Sequence, residues 1–209
     1  MGNVFCAFSD LKTIDIQPVF HLAVKSGVIK DLSFFNTLIS NYGVTIANDT
    51  KEGECCNFTN GYINTGFLNS FKNIWSFGEF TIEFRVKFNS IPKTAYIFGS
   101  CKNQDPDAPG TIYVTSNEKI YVVNSPAWNS PIYADIDKNI WNTICVVSKN
   151  KRMSLFVNNE LKGISNVSGN VRNYPLFIGE QTNISGSGVA GLKIDGLISY
   201  FKIFNTAIK

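Results

Sequence analysis

The stretch Phe80-Thr-Ile-Glu-Phe-Arg-Val-Lys-Phe88 decides the fold class of this chain. Large apolar residues occupy every second position from Phe80 to Phe88, and Thr, Glu, Arg and Lys occupy the positions between them. Side chains of a β-strand point alternately to opposite faces, so this pattern predicts a strand with one buried and one solvated face. A strand of that kind is typical of an antiparallel sheet, and a slip of one residue would bury its charges.

Shorter versions of the same alternation follow along the chain, separated by turn-forming residues. Asn158-Asn159 predicts a tight hairpin turn, because Asn tolerates the left-handed backbone that such turns need. One stretch differs, because the apolar residues between Phe34 and Tyr42 have helical spacing and predict a short helix. We expect an all-β sandwich or barrel. The other predicted strands are 95–100, 112–115, 120–123, 142–148, 152–157, 176–179 and 192–204.

Composition limits the possible functions. The 209 residues are 44% hydrophobic with a net charge of +3, which suits one compact domain with a sizeable core. The 19 basic and 16 acidic residues form no run of like charge, so we expect neither a nucleic-acid partner nor a membrane partner. A single histidine, His21, excludes metal centres built from several histidines.

The two ends of the chain and the cysteines suggest the organisation and the compartment. We expect residues 1–17 to form an N-terminal arm and residues 18–209 to form the domain. The first ten residues lack the basic and apolar regions of a secretory signal. Five cysteines, two of them adjacent, suit neither a disulfide framework nor a zinc site, so reduced thiols are expected.

Several segments, in this order, resemble the laminin-G-like or concanavalin A-like jelly-roll superfamily. The most specific is Gly78 to Lys87, which is similar to the "FTIEFWVK" strand of such domains. Arg85 replaces the usual Trp, and Asn159 replaces the usual Gly of the "LYVNGK" hairpin. The resemblance covers about residues 19–207 and implies a two-sheet antiparallel jelly-roll sandwich. The other matching segments are Phe20-His-Leu, Lys30-Asp-Leu-Ser33, 53–66, 141–147, 153–160, 176–179 and 191–208.

Catalysis is not expected. Glycosidases of this superfamily carry a Glu-x-Asp-x-x-Glu strand, whose period of two places the carboxylates on one face, and this sequence has no match to it. Glu79 and Glu83 are interpreted as solvated outward positions, and His21 as a structural, hydrogen-bonded histidine. Trp141 and Trp75, both beside strong strand signals, are expected in the core.

Two loops supply candidate sites. Asp105 and Asp107 lie in a Pro/Gly loop, and oxygen ligands on such a loop suit Ca²⁺, although solvated turn acids are more common. Trp128, Asn129 and Tyr133 form the candidate ligand surface, because flanking prolines keep the segment out of a central strand. A sugar or a protein partner would stack on the aromatic rings. In the alternative, Trp128 folds back as a lid over the sandwich, which is the commoner behaviour of large aromatic residues.

The resemblance also suggests a biological setting. This chain has a "GEFTIEF" strand and no recognisable secretion signal. In both respects it resembles stand-alone domains of bacteriophage tail, fibre and capsid-decoration proteins. We therefore expect a non-catalytic virion protein, assembled in the host cytoplasm, whose partners are other virion proteins or its own copies. A host-surface glycan is a further expected partner, and no cofactor other than Ca²⁺ is considered. The alternative is a carbohydrate-binding module that belongs to no virion.

Overall fold

The computed structural model describes residues 16–66, 68, 78–91, 94–99, 111–123, 131–166, 176–180 and 193–208. These residues form strands and turns, with no helix among them. Accordingly, no helix in this part of the chain is long and apolar enough to cross a membrane. The strands are β1 (Phe20–Lys25), β2 (Val28–Asp31), β3 (Ser40–Tyr42), β4 (Thr45–Asp49), β5 (Gly53–Asn57), β6 (Tyr62–Gly66), β7 (Phe80–Ser90), β8 (Thr94–Gly99), β9 (Thr111–Thr115), β10 (Lys119–Val123), β11 (Ile132–Asp135), β12 (Asn142–Lys149), β13 (Arg152–Val157), β14 (Glu160–Asn166), β15 (Leu176–Ile178) and β16 (Asp195–Phe204).

The strands form two antiparallel sheets. The larger sheet has the order β14-β13-β12-β7-β16-β1-β2, with β5 paired to β16 and β4 paired to β5. The smaller sheet has the order β11-β10-β9-β8-β15-β6-β3. The alternating strand β7 lies inside the larger sheet, where Phe84 is paired with Ile144 on one side and with Phe201 on the other. The jelly-roll sandwich expected from the sequence is confirmed.

The core lies between the two sheets. Phe84 and Phe201 stack at 5.3 Å on neighbouring strands of the larger sheet, and Phe98 of the smaller sheet stacks on Phe201 at the same distance. All three side chains are fully buried. Burial of a large apolar side chain contributes roughly 1.5–3 kcal/mol, so the inward residues of β7 account for much of the stability.

The predicted Asn158-Asn159 turn is present, and the two strands that it joins pair with one shift in register. Asn158 and Asn159 both have positive φ, 51° and 67°, as a two-residue hairpin turn requires. Glu118, with φ 58°, closes the turn between β9 and β10. The pairing of β13 with β14 shifts between Leu155 and Phe156, which leaves Lys162 as an extra residue in β14.

The helix expected between Phe34 and Tyr42 is wrong. Residues 33–39 form an irregular turn after β2, and Ser40–Tyr42 pair with β6 as the edge strand β3. The Asp31 side chain accepts hydrogen bonds from the backbone of Ser33 and Thr37, and these compete with helical bonds. Only Ile39 of the apolar set packs against the core, so a helix would have had little surface on which to bury its apolar face.

Cysteines are buried thiols wherever the structure describes them. Cys55, Cys56 and Cys145 are buried, whereas Cys6 and Cys101 lie outside the described residues. Burial, assisted by the nearby Asp49 and Glu52 carboxylates, raises the pKa of Cys55 to about 11. Burial raises the pKa of Cys56 to about 12. Thiols that stay protonated at neutral pH are poor nucleophiles, which fits a structural role.

Most of the predicted arm lies outside the described residues, and so does the predicted core residue Trp75. Residues 1–15 and Trp75 are outside the described residues, and Ile16 and Gln17 are exposed. The chain joins the sandwich at Val19, whose backbone N–H donates to the carbonyl of Ile203. The division into an arm and a domain therefore stays a prediction.

Candidate functional site

A row of four tyrosines crosses the outer face of the smaller sheet. Tyr96 of β8 lies opposite Tyr113 of β9, Tyr113 opposite Tyr121 of β10, and Tyr121 opposite Tyr133 of β11. The successive ring centroids are 5.7, 4.9 and 5.7 Å apart, and the middle pair is stacked. We call these residues the tyrosine row. Directly opposed aromatic side chains stabilise one another across strands, so each ring supports the next.

Exposure rises along the tyrosine row towards the edge of the sheet. Tyr96 is 3% exposed, Tyr113 and Tyr121 are partly buried, and Tyr133 is 55% exposed. Burial, with a smaller contribution from Tyr121, raises the pKa of Tyr113. The ring that a ligand can reach is therefore Tyr133, and the stacked rings behind it hold that ring in place.

An open groove of about 360 Å³ adjoins Tyr133. It lies where β11, an edge strand of the smaller sheet, contacts β14, an edge strand of the larger sheet. A Cβ atom at Gly163 would lie 2.6 Å from Cγ2 of Ile132, so only glycine permits this close approach of the two strands. The groove is lined by Pro131, Ile132, Tyr133, Lys162, Gly163, Ile164 and Ser165.

Charged side chains beside the groove occur in pairs. Lys119 places its ammonium 5.0 Å from the Tyr133 ring centre and 2.7 Å from the Asp135 carboxylate. The hydrogen bond to Asp135 raises the pKa of Lys119. Lys162 pairs with Glu160 at 2.7 Å. Among the described residues, these two lysines and two acids balance one another at neutral pH, and they offer both donors and acceptors.

The structure places only part of the predicted sites. Of the candidate ligand residues, Tyr133 is described, and Trp128 and Asn129 lie outside the described residues, as do Asp105 and Asp107. Within the described ranges, no three His, Cys, Asp or Glu side chains come close enough to hold a metal ion. Sequence reasoning missed Tyr113, Tyr121, Lys119 and Lys162, because the tyrosine row depends on the register between strands, which one strand alone does not reveal.

A family model for the concanavalin A-like lectin/glucanases superfamily matches residues 58–209. The chain belongs to this superfamily. The match agrees with the two antiparallel sheets and with the resemblance found along the sequence. A comparison with curated protein sequences gives no significant match.

Solved structures with this superfamily fold include toxin binding domains. The binding domain of Paraclostridial Mosquitocidal Protein 1 superposes with a TM-score of 0.73 at 19% identity over 92% of this chain and 50% of that one. The binding domain of botulinum neurotoxin serotype D gives 0.71 at 15% identity over 92% and 49%. A structure of botulinum neurotoxin type C, whose cell entry depends on two ganglioside molecules, gives 0.69 at 16% identity over 92% and 49%. The chain spans about half the length of these structures, and at such identities the likeness concerns the fold.

Position 85, where the superfamily usually has Trp, carries an arginine that contacts Glu52 and Thr143. Arg85 Nε and Nη2 each lie 2.8 Å from Glu52 Oε1, and Nη1 donates to the Thr143 hydroxyl at 2.7 Å. The Arg85 guanidinium also lies 5.8 Å from the Trp141 ring centre. Trp141 is partly exposed on the outer face of the larger sheet, so its predicted place in the core is wrong.

Asp49 completes this outer-face cluster. It accepts hydrogen bonds from the Lys87 ammonium and from Trp141 Nε1, the latter at 3.1 Å. The Lys87 ammonium, followed by the backbone N–H of Lys51, holds the pKa of Asp49 well below its usual range. Because Arg85 pairs with Glu52 and Lys87 pairs with Asp49, this cluster fastens β4 and the following turn to β7.

The residues considered for catalysis are engaged in the structure. Glu83 accepts a hydrogen bond from the Tyr200 hydroxyl at 3.0 Å, so it is not the freely solvated position expected. His21 lies on β1, opposite Lys202 of β16. Burial, followed by the positive charge of Lys202, lowers the pKa of His21. A histidine kept neutral in a strand fits the structural role predicted for it.

Proposed function

We propose that this protein is a non-catalytic carbohydrate-binding domain whose sugar platform is Tyr133 with the adjoining groove between β11 and β14. One observation carries the proposal, namely that the 55% exposed Tyr133 ring ends the tyrosine row beside an open groove. A flat aromatic ring that is fixed from behind suits the apolar face of a sugar ring. Since Tyr113 and Tyr121 already hold the ring, little side-chain entropy is lost on binding.

The pairing of charges indicates the class of saccharide. Lys119 and Lys162 are neutralised by Asp135 and Glu160, so the rim attracts neither sulfated nor sialylated sugars by net charge. Paired ammonium and carboxylate groups still supply donors and acceptors for hydroxyls. We therefore propose a neutral oligosaccharide, with Trp128 and Asn129 adding contacts from the segment before Pro131.

Attachment to a cell surface is the setting that we propose for this activity. Its support is the fold shared with toxin binding domains, one of them from a neurotoxin whose cell entry depends on two ganglioside molecules. Gangliosides carry sialic acid, so this likeness supports the setting and not the class of saccharide. Another such domain was solved in complex with rat synaptotagmin II. Membership of a virion, with other virion proteins or further copies as partners, stays a prediction from the sequence resemblance, as does calcium binding by Asp105 and Asp107.

Substitution of Tyr133 by alanine tests the proposal. The intact protein is screened on an array of neutral and acidic glycans, and the best neutral binder is titrated calorimetrically against wild type and Tyr133→Ala. We expect at least about tenfold weaker binding, since loss of one stacked ring costs about 1.4 kcal/mol. Tyr42→Ala, at the opposite edge of the same sheet and also exposed, should bind normally. No binding on the whole array, or equal affinity of Tyr133→Ala, would reject the proposal.

A further inference from the structure

A basic hairpin turn joins β12 to β13. The sequence has no long run of like charge, but Lys149-Asn150-Lys151-Arg152 places three cations within four residues. Asn150 and Lys151 both have positive φ, 51° and 59°, as a two-residue hairpin turn requires. Lys149 and Arg152 therefore lie directly opposite each other in the ladder. Opposed residues of an antiparallel pair project from the same face of a sheet, so these two cationic side chains are close neighbours.

That face is the outer face of the larger sheet. The next pair of the ladder, Ser148 with Met153, is buried, and Met153 packs in the core between the sheets. Because side chains alternate along a strand, Lys149 and Arg152 point away from this core. Both residues are exposed and can reach a ligand.

An open groove of about 480 Å³ lies on this outer face beside the turn. We call it the basic groove. Besides the two cations, it presents the apolar surfaces of Val147 and Phe156 and the hydroxyl of Ser154. Its volume is within the range of small-molecule sites, about 300–1,000 Å³. Among the described residues it is lined by Val147, Lys149, Asn150, Arg152, Ser154 and Phe156.

The sequence around the basic groove is poor in acids. From Trp141 to Gly179 it contains one acid, Glu160, against five basic residues. Glu160 pairs with Lys162 at 2.7 Å, so its charge is already matched on β14. The strands that form the basic groove, β12 and β13, carry no acid of their own.

The nearest acids of β7 do not neutralise the groove. Glu79 immediately precedes β7, beside the end of β12 that carries Lys149, and within the described ranges no ion pair joins it to Lys149 or Arg152. Glu83, further along β7, accepts a hydrogen bond from Tyr200. Like charges directly opposite each other destabilise a sheet. A bound anion would remove this repulsion between the two cations.

We propose that the basic groove binds an acidic saccharide, a sugar ring that carries a carboxylate or a sulfate group. The planar guanidinium of Arg152 offers paired donors to either anion, and Lys149 adds a second positive charge. Phe156 and Val147 supply apolar surface for the sugar ring, and the Ser154 hydroxyl can bond to a sugar hydroxyl. A nucleic acid is less well matched, because its binding depends on a longer series of phosphate contacts.

This second site does not rest on the Tyr133 platform. The two grooves lie on neighbouring strands, since Ser154 of the basic groove is paired with Ile164 of the Tyr133 groove. They share no lining residue, and they differ in charge. We therefore assign neutral sugars to one groove and acidic sugars to the other.

Calorimetric titration of the full chain tests this assignment. The probes are a tetrasaccharide of alternating glucuronate and N-acetylglucosamine, a sulfated tetrasaccharide and the neutral tetrasaccharide of N-acetylglucosamine. We expect wild type to bind at least one acidic probe, with an affinity that falls as the salt concentration rises. Lys149→Gln/Arg152→Gln should bind that probe about tenfold or more weakly, because it loses the charge-assisted hydrogen bonds. Its affinity for the neutral probe should not change.

A matched control removes the same charge from another surface. Lys25→Gln/Lys30→Gln changes two exposed lysines of the β1–β2 hairpin and should bind the acidic probe as wild type does. Circular dichroism should show that the Lys149→Gln/Arg152→Gln protein unfolds at the wild-type midpoint or above, since two opposed cations have been removed. Titrations repeated with Tyr133→Ala remove the other proposed site, so failures of the two sites are distinguishable.

Three outcomes would overturn the proposal. The first is that wild type binds neither acidic probe. The second is that the acidic probe is bound equally by wild type and by Lys149→Gln/Arg152→Gln, or is lost equally from both double variants, which would assign binding to net charge alone. The third is that wild type binds a single-stranded oligonucleotide through these two residues and no acidic saccharide, which would assign the groove to nucleic acid.

Discussion

Glu180, two residues after the end of β15, is a buried carboxylate with an incomplete set of partners among the described residues. Its Oε2 atom has no hydrogen-bond partner within the described part of the chain. Burial raises the pKa of Glu180, and the positive charge of Lys193 only partly opposes the effect. A buried charge without partners costs stability, so this residue weakens the fold at neutral pH.

We expect Glu180→Gln to increase the free energy of unfolding at pH 7 by about 1 kcal/mol. The folded carboxyl has the higher pKa, so as pH falls it is protonated before the unfolded carboxyl is, and the penalty disappears. The two proteins should therefore differ most at pH 7 and converge below about pH 4, near the unfolded pKa of Glu. Urea denaturation at both pH values measures this, with the exposed Glu79→Gln as control. A less stable Glu180→Gln at pH 7 would contradict it.

Single residues were predictable from the sequence only where a neighbour constrained them. Tyr133 was predicted to be part of the ligand surface because it follows the proline-flanked segment that ends at Pro131. It lies on β11, an edge strand, where such a proline is tolerated. Trp141 was misplaced because its strand signal belongs to β12, which begins at the next residue. Its ring packs with the charged side chains of Arg85 and Lys87, which are distant in sequence.

At the scale of elements, the pairing of β16 with β7 depends on one glycine. Gly196 lies opposite Phe88, beside a shift in register, and a Cβ atom there would lie 2.4 Å from the carbonyl oxygen of Lys87. Backbone cannot move aside as a side chain can. The central strands of the larger sheet thus meet at a position that only glycine fits.

Gly196→Ala should lower the free energy of unfolding by about 1–3 kcal/mol, the usual cost of overpacking. Chemical denaturation followed by circular dichroism measures the change. Gly99→Ala is the control, because a Cβ atom at Gly99 meets no heavy atom within 4 Å. Equal midpoints for Gly196→Ala and wild type would show that the strands can separate to admit a methyl group.

Strands with a strict alternation of apolar and polar residues were predictable from the sequence, and short edge strands were not. β13 has the predicted ends, 152–157, and β7 begins at Phe80 as predicted but continues beyond Phe88 to Ser90. β3 and β4 carry no such pattern, because neither buries one whole face. The apolar residues of 34–42 have helical spacing, but most of them face solvent. Their spacing therefore did not indicate the buried face of a helix.

For the whole molecule, strand order decides where the proposed glycan surface lies. β11 and β14 end the two sheets beside Tyr133, whereas β2 and β3 end them at the opposite edge of the sandwich. The proposed glycan surface therefore occupies one edge only. The superfamily resemblance predicted two antiparallel sheets, but it did not predict the strand order that brings β11 and β14 together.

Deletion of residues 1–17 tests the predicted arm at this scale. The truncated chain keeps the bond between Val19 and Ile203, so we expect a folded monomer with an unchanged unfolding midpoint. If the arm joins copies of the protein, the deletion should abolish an assembly that intact protein forms in analytical ultracentrifugation. Retained assembly after deletion would remove the arm from the interface.

Lys162, the extra residue in β14, affects how copies of this protein associate when they are crowded on a surface. An outer strand offers unpaired N–H and C=O groups on which a strand of another molecule can grow, and this leads to polymerisation. Lys162 interrupts that template in two ways, because it breaks the ladder geometry and places a charge beside it. If copies of this protein gather on a glycan-bearing surface, as the proposed function implies, Lys162 should keep them from joining their larger sheets through β14 into fibres.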